Sequence, residues 1–280
     1  MLSAFQPWLV RWGLEPDGDP AVTPYAGSRL LPVRQGGVAA MLKLASSADE
    51  RRGARLMAWW AGQGAAPVLA HDDDALLMLR AGGDGDLRQA ADAAAFPRLC
   101  EVVAALHRPR PDPPPMPPLS RLFRALLDSG EPRLAAPAAV ARILLDDPRD
   151  QVLLHGDIHH GNVLDFAARG WLAIDPWGYA GERAYDYANI LRNPDFDRVR
   201  TPGRFDRGLS EISRLAALDP DRLLRWTYAH AGLAAAWELM DGHDPARSWT
   251  VMALAEARLQ SGGAGGARPA RGVMGAPPPN

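Results

Sequence analysis

The hydrophobic pattern has two different periods along the chain, and the change between them divides it into two regions. Up to about residue 81, short apolar runs alternate with Gly-rich turns, which is typical of an antiparallel sheet. We expect strands at residues 22–25, 30–34, 38–44, 68–69 and 75–79. One helix over residues 49–60 follows the third strand. A short amphipathic helix precedes the sheet, on the helical spacing of Leu2, Phe5, Leu9 and Trp12.

Beyond a Gly-rich segment at residues 81–85, the pattern has the longer period of helices. Helices are expected at residues 87–107, 120–129, 137–145, 205–218, 220–240 and 245–260, with short strands at 152–154 and 171–174. We therefore predict an α+β chain in which an antiparallel sheet with one helix (residues 1–81) precedes a mainly helical region (residues 82–260). Residues 261–280 are mostly Gly, Ala and Pro, and we expect a disordered tail.

Composition and charge exclude several classes of protein. The 280-residue chain has a formal net charge of −2, which gives no electrostatic signature of a nucleic-acid partner or an anionic membrane. A single cysteine, Cys100, excludes a disulfide scaffold. The longest uncharged apolar stretch, residues 226–237, is too short to span a bilayer, and the N-terminus does not resemble a signal peptide. We expect a soluble cytoplasmic protein.

Lys43 is the only lysine among the 31 Lys and Arg residues. A GC-rich genome explains why lysine is scarce, because such a genome favours Arg codons, but it does not explain why one lysine is present. Lysine differs from arginine where a compact ammonium on a flexible stem is required. Because Lys43 lies on the third predicted strand, we treat it as a candidate functional residue.

The densest group of chemically active side chains lies at residues 155–162, with the sequence His-Gly-Asp-Ile-His-His-Gly-Asn. Two interpretations are open. Histidine and aspartate are zinc ligands, so the segment could belong to a metal hydrolase, although the remaining histidines lack the paired spacing that such a site needs. Alternatively, the spacing of His155, Asp157 and Asn162 is that of a kinase catalytic loop.

The kinase interpretation gives each residue a chemical task. One carboxylate, from Asp157, accepts or orients the proton of the attacking hydroxyl. Asn162 and Asp175, which follows the apolar run at residues 171–174, offer oxygen ligands for Mg²⁺. A lysine on the third strand of an N-terminal sheet reaches the nucleotide phosphates in kinases, and Lys43 is in that position.

Together these segments resemble the aminoglycoside phosphotransferases, and more narrowly the branch of streptomycin 6-kinases and hydroxyurea-resistance kinases. The likeness extends over Trp59-Trp60, residues 75–79, the Gly-Trp-Leu-Ala-Ile-Asp-Pro run at 170–176 and the Gly-Glu-Arg-Ala-Tyr-Asp-Tyr-Ala-Asn-Ile run at 181–190. The resemblance implies a bilobal protein-kinase-like fold and ATP- and Mg²⁺-dependent phosphorylation of a small-molecule hydroxyl.

The resemblance also implies roles for individual positions. Asp157 corresponds to the catalytic base, Asn162 and Asp175 to Mg²⁺ ligands, and Lys43 to the phosphate-binding lysine. Residues 77–80, including Leu77 and Leu79, correspond to the hinge whose backbone meets adenine. Glu50 is the candidate partner of the lysine. Trp177 departs from the family pattern, because related streptomycin kinases tend to carry a lysine there.

The acceptor itself is expected to be an aminoglycoside, streptomycin foremost. A polycationic substrate requires carboxylates and flat aromatic surfaces, and the candidates are Glu182, Trp237 and Asp241. The alternatives are a kinase of another small molecule, such as hydroxyurea, a natural product or a metabolite, and a nucleotide-binding regulator without transfer activity.

Overall fold

This computed structural model describes residues 2–23 and 27–264. The described residues contain ten strands and eleven α-helices. The strands are β1 Leu14–Pro16, β2 Ala21–Val22, β3 Arg29–Gln35, β4 Val38–Leu44, β5 Val68–His71, β6 Ala75–Leu79, β7 Gln151–Leu154, β8 Val163–Asp165, β9 Trp171–Ala173 and β10 Tyr179–Glu182. The helices are α1 Gln6–Arg11, α2 Ala48–Trp60, α3 Asp92–Leu106, α4 Leu119–Leu122, α5 Arg124–Leu127, α6 Ala135–Asp146, α7 Ala184–Ala188, α8 Phe196–Val199, α9 Arg204–Ala216, α10 Pro220–Met240 and α11 Ala246–Ala264. Short 3-10 helices cover Leu2–Phe5, Pro132–Leu134, Ala167–Arg169 and Asn189–Arg192.

The first six strands form one antiparallel sheet in the order β1-β3-β4-β6-β5, with β2 paired to β3. Strands β3 and β4 form a tight hairpin through Gly36 and Gly37, whose φ angles of 55° and 83° favour glycine. The pattern predicts four of these strands in place and misses β1, because three residues that include Pro16 show no alternation. The strand predicted at 22–25 is β2 at Ala21–Val22, and residues 24–26 lie outside the described residues.

Because side chains alternate along a strand, the sheet has two packed faces. One face carries Leu31, Leu42 and Leu77 and packs with Phe5 and Leu9 of the N-terminal helical segment into a separate small core. The other face carries Leu76 and Met78 and joins the large core, which includes the buried side of α2 and the helical region. The sheet is therefore anchored on both faces.

The C-terminal region is built around α10, most of which is buried. This helix begins as predicted, with the Asp219 side chain accepting a hydrogen bond from the Asp221 amide and with Pro220 in its first turn. The helix predicted at 87–107 begins only at Asp92, because Asp86 bonds the Arg88 amide and holds a turn there. The pattern misses β8 and β10, which are short strands of three and four residues.

A Gly-rich connector joins the two regions and lies against β8. The Gly83 amide donates to the Asp165 carbonyl at 3.0 Å, and the Gly85 amide donates to the Asp165 carboxylate at 3.1 Å. The boundary near residue 81 stays a prediction. At the other end, α11 extends to Ala264, and the rest of the predicted tail, residues 265–280, lies outside the described residues. None of the helices described here is both long enough and apolar enough to cross a membrane.

Candidate active site

Lys43 projects from β4 into a cavity between the sheet and the helical region. Met41 and Lys43 are two residues apart on β4, so they share one face of the sheet, and both line this cavity of about 350 Å³. The Lys43 ammonium lies 3.2 Å from the Glu50 carboxylate and also contacts the Asp175 carboxylate. Lys43 is only 8% exposed. These contacts hold its ammonium at the polar end of the cavity.

Glu50 is placed by the N-terminus of α2. The Ser47 hydroxyl accepts a hydrogen bond from the Glu50 amide at 3.2 Å and caps the helix. The Glu50 carboxylate in turn accepts bonds from the Ser46 hydroxyl at 2.9 Å and from the buried Ser28 hydroxyl. A carboxylate with this many donors is held in one orientation, which is the one that faces Lys43.

Gly53 allows α2 to approach the segment that follows β9. A Cβ atom at this position would lie 2.0 Å from the Pro176 carbonyl oxygen, which is a backbone atom with little freedom to move. Asp175, the residue before Pro176, has a φ of 61°, an uncommon value for a residue with a side chain. The close approach brings the Glu50 end of the site and the Asp175 end together around Lys43.

The loop at residues 155–162 is held from beneath by a buried carboxylate. Asp186 accepts hydrogen bonds from the His155 and Gly156 amides at 2.9 and 2.8 Å, and its Oδ2 lies 2.8 Å from His107 Nε2. Burial raises the pKa of Asp186, but the His107 and amide donors outweigh it, so the pKa is lowered. Asp186 is therefore a structural anion that orders the loop.

Asp157 points from this loop into a second cavity and is surrounded by amides. Its carboxylate accepts bonds from Asn189 Nδ2 at 3.1 Å and from Asn162 Nδ2 at 3.3 Å. Burial, and then the negative charge of Asp175, raise the pKa of Asp157 to about 8. The two carboxylates are close enough to repel each other, and a cation between them would remove that repulsion.

The residues at this point fit Mg²⁺ and do not fit zinc. Within the described ranges, no group of three or more His, Cys, Asp or Glu side chains is placed to hold a metal ion, so the zinc interpretation is wrong. Asp175 and Asn162 offer a carboxylate and an amide oxygen, and Mg²⁺ prefers a few such oxygen ligands completed by phosphate and water. The Asn162 amide nitrogen is turned to Asp157, which leaves its oxygen on the opposite side.

The other end of the first cavity is apolar, as an adenine ring requires. The apolar side chains that line it are Leu30, Met41, Met78, Leu79, Leu164, Phe166 and Ile174. Leu79 lines this cavity, and its backbone contact with adenine stays a prediction. Leu77 does not line it, because its side chain is on the opposite face of β6, fully buried in the small core, and its backbone is paired with β4 and β5. The expectation for Leu77 is corrected accordingly.

The second cavity has a volume of about 380 Å³ and contains Asp157. Two of the predicted substrate residues, Trp237 and Asp241, line it, as does Trp177. Trp237 lies in the last turn of α10, Asp241 follows the end of that helix, and Trp177 lies in the segment between β9 and β10. The cavity therefore lies between the loop at residues 155–162 and the last turn of α10.

Glu182 does not belong to this cavity. Its side chain is 2% exposed and forms an ion pair with Arg222, with the two closest atoms 2.6 Å apart. It also accepts a bond from the Arg149 amide at 3.0 Å. The expectation that Glu182 contacts substrate is wrong, because a buried carboxylate with three donors has no surface to offer.

Several residues that line the second cavity are not among the predicted site residues, and they include Asn189, Arg192, Asp244 and Arg247. Asn189 and Arg192 belong to the 3-10 helix after α7, where their three-residue spacing puts them on one face. The run at 181–190 contains Asn189 and ends two residues before Arg192, and this is the signal that the sequence offered for them. Arg192 also contacts Glu238, and Glu238 accepts a bond from Ser248.

Comparisons with known proteins agree with this geometry. A family model described as aminoglycoside/hydroxyurea antibiotic resistance kinase matches residues 11–242. The chain is 50% identical over 246 residues to a streptomycin 3''-kinase from Klebsiella pneumoniae, covering 84% of this chain and 92% of that protein. It is 32% identical over 274 residues to a streptomycin 6-kinase from Streptomyces glaucescens, covering 88% and 86% respectively.

Solved structures are similar in fold. A thermostable mutant of aminoglycoside phosphotransferase APH(4)-Ia, in ternary complex with AMP-PNP and hygromycin B, superimposes with a TM-score of 0.65 at 19% identity. The match covers 93% of this chain and 99% of that chain. The predicted α+β, bilobal kinase-like fold is confirmed.

Proposed function

The chain belongs to the aminoglycoside/hydroxyurea antibiotic resistance kinases, and we propose that it transfers the γ-phosphoryl group of ATP to a hydroxyl of streptomycin. The enzyme class, a kinase that acts on small molecules, follows from the family. Streptomycin as the acceptor rests on the names of the relatives and on the charge of the second cavity. ATP as the donor is supported by the kinase-like structure solved with AMP-PNP.

One observation carries the proposal: the two cavities meet at a pair of interacting carboxylates. Asp175 lines the first cavity beside Lys43, and Asp157 lines the second. The residues on either side of Asp175 are bonded to the Asp157 loop, because the Ile174 amide donates to the Asn162 carbonyl at 2.9 Å and the Pro176 neighbour Trp177 donates its amide to the His155 carbonyl at 2.8 Å. A donor phosphate beside Lys43 and Asp175 and an acceptor hydroxyl beside Asp157 would therefore be neighbours. Such positioning supplies a large part of the rate in phosphoryl transfer.

Each residue has a defined task in the proposed reaction. Asp157 accepts the hydroxyl proton as the acceptor oxygen bonds to the γ-phosphorus and the bond from that phosphorus to the β–γ bridging oxygen breaks, which yields phosphorylated acceptor and ADP. Asn189 and Asn162 orient the Asp157 carboxylate. Lys43 holds the nucleotide phosphates, and Glu50 holds Lys43. Mg²⁺, bound by Asn162 and Asp175, would neutralise charge on the phosphates and lower the pKa of Asp157.

The test is a mass-spectrometric assay of streptomycin with ATP and Mg²⁺, in which the product gains the mass of one phosphoryl group. Asp157→Asn should reduce turnover about 10²- to 10⁴-fold, because the hydroxyl proton then has no acceptor. Arg98→Ala is a surface control, since the exposed Arg98 forms an ion pair with its helix neighbour Glu101 and is not among the residues that line either cavity. Full activity of Asp157→Asn would contradict the mechanism.

The same assay separates the alternatives. If the enzyme phosphorylated hydroxyurea and not streptomycin, its substrate would be the other one named in the description of the family. ATP binding without transfer to either acceptor would indicate a regulator. In that case, the proposed acceptor role of the second cavity would be abandoned.

A further inference from the structure

Trp177 and Trp237 meet at the wall of the second cavity and form a feature that we name the aromatic corner. Their ring centroids are 5.3 Å apart and their planes are inclined by 69°. Both side chains are half-buried and both line the cavity. Each ring therefore supports the other at an angle and leaves part of its surface to a ligand.

The aromatic corner lies directly beside the catalytic loop. The Trp177 and Gly178 amides both donate to the His155 carbonyl, at 2.8 and 3.2 Å. Gly156 has a φ of 89°, and a Cβ atom there would lie 3.3 Å from the Trp177 Cβ. These contacts fix Trp177 against His155 and Gly156, the two residues that precede Asp157.

Carboxylates outnumber cationic side chains around the aromatic corner. Four carboxylates line the cavity, from Asp157, Glu238, Asp241 and Asp244, against two guanidinium groups, from Arg192 and Arg247. The Glu238 carboxylate is already engaged by Arg192. Asp241 follows the last residue of α10, where the helix dipole also favours a cation.

An aromatic ring face beside carboxylates binds a guanidinium group more favourably than an ammonium group. A guanidinium is planar, delocalised and weakly hydrated, so it stacks on an aromatic face while its N–H groups reach carboxylates. An ammonium is compact and strongly hydrated and gains less from such a wall. We infer that the aromatic corner binds a guanidinium group of the acceptor beside Asp157, so that the phosphorylated hydroxyl belongs to the guanidinium-bearing ring.

This inference rests on the proposed function, because streptomycin is the acceptor that supplies the guanidinium groups, on its streptidine ring. Hydroxyurea carries no such cation. The reaction remains the transfer described above, with Asp157 accepting the proton of a streptidine hydroxyl. Both relatives described above are named for streptomycin but for different hydroxyls, so the inference also decides between the two sites of phosphorylation.

The first test uses the unmodified enzyme and two inhibitors. Streptidine and streptamine share one ring, which carries guanidinium groups in the former and amino groups in the latter. Streptidine should compete with streptomycin, and not with ATP, with an inhibition constant about tenfold lower than that of streptamine. Equal constants would overturn the inference.

The second test removes the aromatic faces. Trp177→Leu and Trp237→Leu should each raise the KM for streptomycin about tenfold while the KM for ATP stays within twofold. The Phe variants keep a π face and should recover most of the loss, even if the Leu variants fold poorly. Trp59→Leu is a matched control, since Trp59 is a half-buried residue of α2 that bonds the Pro111 carbonyl outside both cavities.

The position of the new phosphate completes the experiment. Phosphorus–proton correlation spectra of the product should place it on the streptidine ring, whereas a phosphate on the sugar at the 3'' position would overturn the inference with the proposed function intact. If the wild-type enzyme does not phosphorylate streptomycin at all, the proposed function itself fails.

Discussion

Among single residues, Glu182 and Asp241 show that the same functional group, a carboxylate, has a structural role in one place and lines a cavity in another. Both are carboxylates, yet Glu182 is buried against Arg222 and Asp241 is exposed at the second cavity. A buried ion pair that loses one partner leaves an uncompensated charge, whereas an exposed carboxylate keeps its water. The consequences of neutralising the two residues should therefore differ in kind.

We expect Glu182→Gln to lower the free energy of unfolding by about 3 kcal/mol, because the Arg222 guanidinium loses its anion in the interior. Asp241→Asn should leave stability nearly unchanged and raise the KM for streptomycin. Urea unfolding and steady-state kinetics of the two variants provide the comparison. If Glu182→Gln raised the KM for streptomycin and left the free energy of unfolding unchanged, Glu182 would have to be assigned to the substrate site after all.

At the scale of elements, the contact between α2 and the segment after β9 positions Glu50 and Asp175 around Lys43. Gly53→Ala would improve helix propensity by about 1 kcal/mol. Its methyl group, however, would meet the Pro176 carbonyl oxygen and force α2 and the Asp175 segment apart. Overpacking of this kind costs about 1–3 kcal/mol.

We therefore expect Gly53→Ala to be less stable and to lose more kcat/KM for ATP than for streptomycin, since Glu50 and Lys43 move with α2. The comparison is Gly130→Ala, where a Cβ atom meets nothing within 4 Å. Thermal unfolding and kinetics with each substrate varied in turn measure both effects. An unchanged kcat/KM for ATP would show that α2 can shift without disturbing Lys43.

How far these elements follow from the sequence depends on the range of the interactions. The sequence predicts strands β3, β4 and β6 and helix α10, because each contains enough apolar positions to show its period. It also identifies Asp157 and Asn162, because they are only five residues apart in the sequence. Asn189 and Arg192 reach the site only through the packing of α7. The burial of Glu182 depends on Arg222, which lies 40 residues away on α10. Leu77 is misplaced because its backbone is paired with β4 on one side and β5 on the other, and this pairing depends on residues distant in the sequence.

For the whole molecule, a buried neutral histidine links stability to pH. Burial, and then the nearby Arg192 cation, lower the pKa of His230 to about 3, whereas an unfolded histidine titrates near about 6.5. Between these values the unfolded chain binds a proton that the folded chain does not. The contribution is therefore complete above the unfolded pKa and is lost as the pH falls below it.

From pH 7.5 to pH 5.5, His230 should account for a loss of about 1.4 kcal/mol in the free energy of unfolding. The measurement is the difference in this loss between the wild-type chain and His230→Gln, which removes the titrating group and cancels the contributions of all others. Urea titrations at the two pH values supply it. Equal losses in both proteins would mean that the pKa of His230 is the same in the folded and unfolded states.

The solitary lysine on β4 has one more consequence. Apart from the α-amino group, Lys43 carries the only primary amine of the chain, and it lines the first cavity. Reductive methylation with ¹³C-formaldehyde should therefore introduce a single side-chain isotope label, positioned against Glu50 and Asp175. Its methyl resonance should shift when ATP is added and stay fixed when streptomycin is added alone, giving a one-signal spectroscopic record of nucleotide occupancy without any mutation.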